Sequence, residues 1–529
     1  MNNYDEHMQV ADPRRAFLAP TPPQKGLLAI NATLALLYFF VLTLVFPHGN
    51  PILWALLIAG EVFHVWQVLT FLYTVWDTSY EAPKNSSYAP PVDVFVTVAG
   101  EPLAVVKETL RAACAMRYRE KQVYLLNDGF VAGKDNWRDI ELLASTLQEE
   151  GLPVHCITRT VAGGAKAGNI NNALRLTSSP LVAIFDADHV PHQDFLEKTV
   201  PYFGVGDSAP VGFVQTPQYY KNFAKNYLTQ SSWEQQELFF GPICKGKNRL
   251  NSTTMCGTNM LISREALGAV GGMCTESIAE DFVTGLFMHE QGYRSVYVPE
   301  VLSEGLATED FLTYSKQQFR WARGALDVIF RYNPLLRRGL TWAQRLQYLA
   351  SASFYLSGVV VAVDIFLPLA FFYTGAVPIE APGMLLAAVF LPYMFFTLYV
   401  LQRSANFCFT FPSLALSMSA FTIHLKALVA ALTRQKSVFV VSSKEQLTGN
   451  FLRLTTAHLA YISLALFGCV VALSREGLSA SLVNNLAWAG LNIAIFVPFI
   501  KASLPPRNAV LPKETPTRDH APVGVRAHS

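Results

Sequence analysis

Apolar runs long enough to cross a bilayer stand toward both ends of this 529-residue chain and enclose a long polar stretch. A membrane helix needs roughly 20 largely apolar residues. Residues 27–46 and 52–75 meet that requirement, joined by the tight turn Pro47-His48-Gly49-Asn50-Pro51. Beyond the polar stretch come 346–374, 383–402, 454–473 and 482–500, with 412–432 as a seventh candidate. Such a chain cannot close into one water-soluble globule. The first run is too long for a signal peptide, lacks a small-residue cleavage site and is followed by a second span.

Charge placement sets the topology. Arg14, Arg15 and Lys25 before the first run put the N-terminus in the cytoplasm by the positive-inside rule. Two spans then return the chain to the cytoplasm. If 412–432 crossed, Arg434, Lys436, Lys444 and Arg453 would lie outside, and the run itself carries His424 and Lys426. It reads instead as an amphipathic helix at the cytoplasmic interface. Six spans result, with both termini inside and Arg475 as the one basic residue on an outer loop. The organisation expected is a cytoplasmic N-terminal segment (1–26), two transmembrane helices (27–76), a cytoplasmic domain with interface helices (77–345) and two transmembrane helices (346–402). An interface helix and loop (403–453), two more transmembrane helices (454–500) and a Pro- and charge-rich disordered tail (501–529) complete it.

Composition excludes two classes. A net charge of +2 offers no basic field for nucleic acid. The seven cysteines, Cys114, Cys156, Cys244, Cys256, Cys274, Cys408 and Cys469, have neither zinc spacing nor a C-x-x-C pair and read as reduced thiols.

Within the polar stretch, β-rich runs at 92–98, 123–127, 154–158, 181–185 and 211–215 alternate with helical runs at 102–116 and 135–149. That alternation predicts βαβ units and a mainly parallel sheet, whose ligands bind beyond the C-terminal strand ends. Asp128 follows one strand, and Asp186-Ala187-Asp188-His189 follows another. Turn-forming aspartates explain each one singly but not the set. Two close carboxylates repel a diphosphate but can hold Mg²⁺ or Mn²⁺, which in turn binds it. Asp186 and Asp188 are the candidate ligands; His189 adds a third or fills the turn, and His192 reads as a surface residue. Further on, Ser277-Ile278-Ala279-Glu280 has capping-box spacing before a helical run at 278–291. Glu280 is therefore expected to cap. Asp281, in the same first turn, would be kept ionised by the helix dipole and could accept a hydroxyl proton.

The ordered set of motifs resembles the processive family 2 glycosyltransferases, the family of cellulose, chitin and hyaluronan synthases. The runs are Asn127-Asp128-Gly129, Lys166-Ala167-Gly168-Asn169, Asp186–His189, Gln215-Thr216-Pro217, Cys256-Gly257-Thr258, Glu280-Asp281 and Gln317-Gln318-Phe319-Arg320-Trp321. The resemblance, across about 90–325, implies an α/β GT-A-type (Rossmann-like) cytoplasmic domain plus an α-helical polytopic transmembrane domain. It implies that Glu101 and Asp128 hold the nucleoside, Lys166, Asp186 and Arg320 contact the donor, and Asp188 binds the metal. Asp281 would be the general base, with Trp321, Cys256 and Gln317 at the acceptor. Phe439-Val440-Val441-Ser442-Ser443-Lys444 is similar to the F-x-V-T-x-K gating loop of bacterial cellulose synthases, which would make Phe439, Val441, Ser442 and Lys444 donor-closing residues.

Departures from the pattern are Asn127 for the first Asp of D-D-G, Ala279 for the Thr of T-E-D, and Ala99-Gly100 before Glu101. From the short tail, no C-terminal cyclic-di-GMP domain of the kind found in many bacterial cellulose synthases is expected. The expectation is an inverting processive enzyme of the inner membrane with a Mg²⁺ or Mn²⁺ cofactor. Its partners would be UDP-glucose, a growing β-glucan, membrane lipids and a periplasmic or export accessory subunit. The β-1,4 linkage is expected first, with β-1,3 or mixed linkage and a non-processive lipid-directed transferase as alternatives. In the spans, Glu61, His64, Asp364 and Asn492 either line a channel or join helices.

Overall fold

The computed structural model describes residues 24–206, 209–381, 383–435, 447 and 449–505. Its polar half is built on a seven-stranded sheet: β1 Val92–Val98, β2 Lys121–Asn127, β3 Val154–Thr158, β4 Leu181–Asp186, β5 Val211–Gln215, β6 Met260–Ser263 and β7 Arg294–Tyr297. The strand order is β3-β2-β1-β4-β6-β5-β7. The first four strands pair in parallel, with the helices Leu103–Ala115, Trp137–Glu149 and Ala165–Leu174 as their crossovers. The sheet then turns mixed, because β6 runs antiparallel between β4 and β5, while β7 is again parallel to β5. All five strands expected from sequence are present. β6 and β7 were not legible, since four-residue strands beside helical runs carry no period of their own. Three short strands, Val190–Pro191, Tyr219–Tyr220 and Ser303–Gly305, form a second sheet.

Both faces of the main sheet are covered, so the inner strand β1 is buried at every position rather than alternating. Val94, Val96, Leu110, Leu125, Ile140 and Leu147 close one face. Phe95, Leu126, Ile170, Ile184, Phe213 and Ile262 close the other. The two polar residues of β1 are both answered. Asp93 accepts from Arg264 Nη2 at 2.7 Å and from Ser179 Oγ at 2.7 Å, and Thr97 donates to Asp186 at 3.1 Å.

Among the described residues, seven helical stretches are long and apolar enough to cross a membrane: Lys25–Val45, Pro51–Thr74, Trp342–Thr374, Gly383–Ser404, Phe411–Leu432, Leu452–Glu476 and Ala480–Ala502. Pro51–Thr74 is started by Asn50, whose side chain accepts from the backbone N–H of Ile52 and Leu53, with Pro51 in the first turn. Phe411–Leu432 differs from the other six. It breaks at Ala420 into Phe411–Ser419 and Phe421–Leu432, each shorter than a bilayer requires. Its apolar window is 56% buried, against 11–28% for the others. The first half packs on Tyr227–Leu238 and Ala480–Ala502, and the second on Phe311–Asp327 and Ser357–Thr374.

Arg475 has a structural reason for its position. Its guanidinium donates to the carbonyls of Phe372 at 3.0 Å and Phe371 at 3.1 Å, and to Glu476 at 2.8 Å. Those carbonyls belong to the last turn of Ser357–Thr374, where unpaired acceptors and the dipole favour a cation. A residue that topology alone makes anomalous is thus a helix cap.

Arg264→Met should destabilise the polar domain by about 3 kcal/mol, because it strands Asp93 inside the sheet. Thermal unfolding of the purified protein checks this, and an unchanged midpoint would show that the Ser179 donors suffice.

Candidate active site

The C-terminal ends of β1, β2 and β4 open on one edge of the sheet, and the sequence-predicted donor residues sit there. Asp186 ends β4. Lys166, in the first turn of Ala165–Leu174, reaches its Oδ1 and donates also to the Gly257 carbonyl at 2.9 Å. The Asp186 backbone N–H donates to Thr258 Oγ1 at 2.9 Å, which fixes the Cys256–Thr258 loop against β4. Burial disfavours the Lys166 ammonium, but Asp186, Glu280 and Asp281 outweigh it and raise its pKa. Asp186 is correspondingly held below its ordinary value: burial opposes its charge, while Lys166 and His189 favour it more strongly.

Gly257 allows the acidic pair to close on this lysine. Its φ is +79°, and a Cβ there would stand 2.8 Å from Asp281 Oδ2. Asp281 accepts from the Phe282 backbone N–H at 2.7 Å through its other oxygen. Burial raises the Asp281 pKa despite Lys166 and Arg320. Burial and the Asp281 charge push Glu280 up to about 7.

The capping-box reading of Glu280 is corrected here. The helix runs Glu280–Glu290 with Ala279 at its N-cap and no side-chain cap. Ser277 Oγ instead accepts from the Ala279 N–H at 3.1 Å. Because the helix begins two residues later than the capping pattern implies, Glu280 occupies its first position, beside Asp281 and Lys166. A Cβ at Gly324 would stand 2.5 Å from that of Ala279, so the N-cap of this helix lies directly against a neighbouring element.

Gly324 belongs to Phe311–Asp327, the helix that carries Gln317, Arg320 and Trp321 and is capped by Asp310, which accepts from Thr313 N at 2.8 Å. The Arg320 charge is felt at both Glu280 and Asp281. Gln317, Arg320 and Trp321 are half-buried, whereas Gln318 is buried. Cys256 is held by its backbone: its N–H donates to Gln215 Oε1 at 2.9 Å and its carbonyl accepts from Gln218 at 2.9 Å. Burial keeps its thiol protonated.

Asp128 stands apart from this cluster, two strands away. Both its oxygens are taken by Arg159, at 2.8 Å and 2.6 Å, so a ligand reaching it meets a guanidinium as well. Arg159 gave no sequence signal, being one cation after β3. Asn127 is structural, donating to the Trp137 carbonyl at 2.9 Å and accepting from the Gly129 N–H at 2.9 Å. Glu101 Oε2 accepts from the Ala99 N–H at 2.6 Å. The loop residues Phe439, Val441, Ser442 and Lys444 lie outside the described residues.

The expected metal trio is only partly assembled. Among the described residues no three His, Cys, Asp or Glu side chains converge into a ready cage. The reason is that Lys166 and Thr97 hold Asp186. Asp188 and His189 are both buried, with Nδ1 3.5 Å from Asp188 Oδ1, and neither ring nitrogen makes a hydrogen bond. The set still suits Mg²⁺ or Mn²⁺. Such ions take one or two carboxylates and complete their shell with substrate phosphates rather than with protein.

The comparisons agree with this geometry. Residues 90–324 match the glycosyltransferase-like family 2, and 263–404 match the cellulose synthase family. Similar proteins include the UDP-forming cellulose synthase catalytic subunits of Xanthomonas axonopodis (36% identical over 301 residues; 55% of this chain, 40% of the relative) and Pseudomonas fluorescens (34% over 349; 64% and 45%). The chain spans about a quarter to half of the length of the curated relatives it matches. A mannosyltransferase from Pyrobaculum calidifontis, solved with GDP-Man and Mn²⁺, has the same fold at 18% identity and a TM-score of 0.51, covering 73% of this chain and 100% of its own.

Gly257→Ala should displace the Asp281 carboxylate and add roughly 1–2 kcal/mol of left-handed backbone strain. A lowered thermal midpoint is expected; unfolding identical to the parent would refute the close approach. Motifs, fold and acidic cluster agree: residues 90–324 are similar to the glycosyltransferase-like family 2, and 263–404, overlapping them, to the cellulose synthase family.

Proposed function

We propose that this protein is an inverting, processive membrane glycosyltransferase that polymerises glucose from UDP-glucose into a β-1,4-glucan and passes the chain through its own helices. The observation that carries the reading is the convergence of Lys166, Asp186, Asp281 and the Arg320 helix on one sheet edge that is continuous with membrane-length helices. The UDP-forming relatives support the donor.

In this mechanism Asp281 takes the proton of the acceptor hydroxyl. The oxygen attacks the anomeric carbon from the face opposite the nucleotide, and the bond to the β-phosphate oxygen breaks as UDP leaves. Lys166 and Arg320 balance the charge that develops on the diphosphate. Asp186, Asp188 and His189 would hold a divalent cation, which supplies Lewis-acid neutralisation of the leaving group. Glu101 and Asp128, the latter through its Arg159 pair, would hold the nucleoside. Cys256 and Gln317 would border the acceptor, with Trp321 stacking on an apolar sugar face. The loop bearing Phe439, Val441, Ser442 and Lys444 would close on bound donor.

The topology proposed is six spans in the inner membrane, with the catalytic domain and both termini cytoplasmic. The break at Ala420 and the packing of both halves of Phe411–Leu432 on catalytic-domain and membrane helices support an interfacial place for that stretch.

Asp281→Asn should lower transfer by about 10²- to 10⁴-fold while leaving donor binding intact. Unimpaired synthesis would remove Asp281 from this role. Because a protonated acid accepts no proton, transfer should fall as pH drops through the raised Asp281 pKa. The midpoint is expected above the roughly 3.9 of a free aspartate; a rate flat to pH 4 would count against the assignment.

The function itself is tested with the full chain in nanodiscs, Mg²⁺ and radiolabelled UDP-glucose, followed by linkage-specific glucanases. Release of label by a β-1,4-specific enzyme is expected. Release only by a β-1,3-specific enzyme would change the product, and no polymer at all would overturn the reading. Chelation of the divalent cation should abolish synthesis, with recovery on adding Mg²⁺ or Mn²⁺.

A further inference from the structure

Lys247 is a cation that the mechanism above does not use. It lies in the short helix Cys244–Arg249 and is only 2% exposed, yet it forms no ion pair with a carboxylate among the described residues. Its Nζ donates to Thr254 Oγ1 at 2.8 Å and to Ser351 Oγ at 2.6 Å, with the Phe239 ring 5.9 Å away. Burial holds its pKa below that of a free lysine. An amine buried among hydroxyls is costly to keep, and what it joins gives the reason.

Thr254 begins the loop that continues through Cys256 and Gly257 to Thr258. On the sheet side that loop is fixed by Gln215, Gln218, Lys166 and the Asp186 N–H. On the other side Lys247 holds it. Ser351 belongs to Trp342–Ser353, the opening of the candidate span Trp342–Thr374. The same helix is keyed into its surroundings by Gln347, which donates to Thr74 Oγ1 at 2.8 Å, and by Tyr348, whose hydroxyl is 2.7 Å from His289 Nδ1. His289 sits on the helix that begins with Glu280 and Asp281. Lys247 therefore links the 254–258 loop to the helix entering the membrane, and none of its own hydrogen bonds among the described residues is to Lys166, Asp186 or Asp281.

We propose that Lys247 is a positioning residue that holds the 254–258 loop against the membrane-entry helix and thereby decides whether the donor sugar passes to the acceptor hydroxyl or to water. The inference rests on the function proposed above. Both outcomes consume one donor and release one UDP. In the second, water supplies the attacking oxygen, Asp281 takes its proton and free glucose forms.

The test uses the full chain in nanodiscs with Mg²⁺ and UDP-glucose, measuring UDP, free glucose and polymer for the parent, Lys247→Met, Thr254→Val and Ser351→Ala. In Lys247→Met, which loses both hydrogen bonds, the ratio of free glucose to polymer should rise roughly 5- to 30-fold, the range for one to two net hydrogen bonds, while the donor KM stays near the parent value. Thr254→Val and Ser351→Ala should move the ratio in the same direction. A proportional fall of glucose and polymer, or a rise in donor KM, would mean general structural damage and would overturn the proposal. If the parent releases no UDP, the functional reading fails, and Lys247 is judged by hydrogen exchange of the intact protein. Faster exchange in 254–258 with β4 unchanged then supports the tie, and unchanged exchange in that loop refutes it.

Discussion

Asp186, Glu280 and Asp281 are crowded at one edge of the sheet, where their mutual repulsion would drive them apart without a counter-charge. The Lys166 ammonium supplies it, bound to Asp186 and to the Gly257 carbonyl while feeling Glu280 and Asp281. Other features follow from that contact. Gly257 must lack a side chain so that Asp281 can approach, and the Ala165–Leu174 helix must begin where the lysine can reach β4. The same balance suits a site that is to receive a diphosphate. In the mechanism proposed, an incoming diphosphate would compete with Asp186 for Lys166 and leave that carboxylate available to a cation.

The acidic edge is built into the membrane part rather than tethered to it. Gly324 lets the Phe311–Asp327 helix lie directly on Ala279, and Ala322 and Leu326 of that helix pack against Ala427 and Ala431. Small residues permit this closeness and leave little slack. Polar keys act in parallel: Trp66 and Gln67 donate to Ser353 Oγ at 3.3 and 3.1 Å, from a candidate span to the helix that precedes another. The membrane entry and the turn carrying Glu280 and Asp281 are thus joined by packed, hydrogen-bonded elements.

Two residues show how local patterns mislead. Ser277-x-x-Glu280 has the spacing of a capping box, but the helix begins at Glu280, with Ala279 packed against Gly324, and Glu280 joins a half-buried charge cluster instead of capping. Arg475 reads as a charge on the wrong side of the membrane, yet it caps a neighbouring helix through the Phe371 and Phe372 carbonyls. In both cases the deciding partner is far away in sequence or absent from the motif.

What the sequence determined by itself was set by local periodicity and length: the membrane-length runs, the βαβ alternation with its five strands, and the aspartates following β2 and β4. These survive because hydrophobic burial acts on each segment almost independently of its neighbours. The tertiary structure alone decided the antiparallel insertion of β6, the guanidinium that occupies Asp128, the lysine bridging Asp186 to Gly257, and the break of Phe411–Leu432 at Ala420. Each depends on which charges and carbonyls meet across distant elements. Those pairings are fixed by short-range electrostatics and steric fit between surfaces that no sequence window contains.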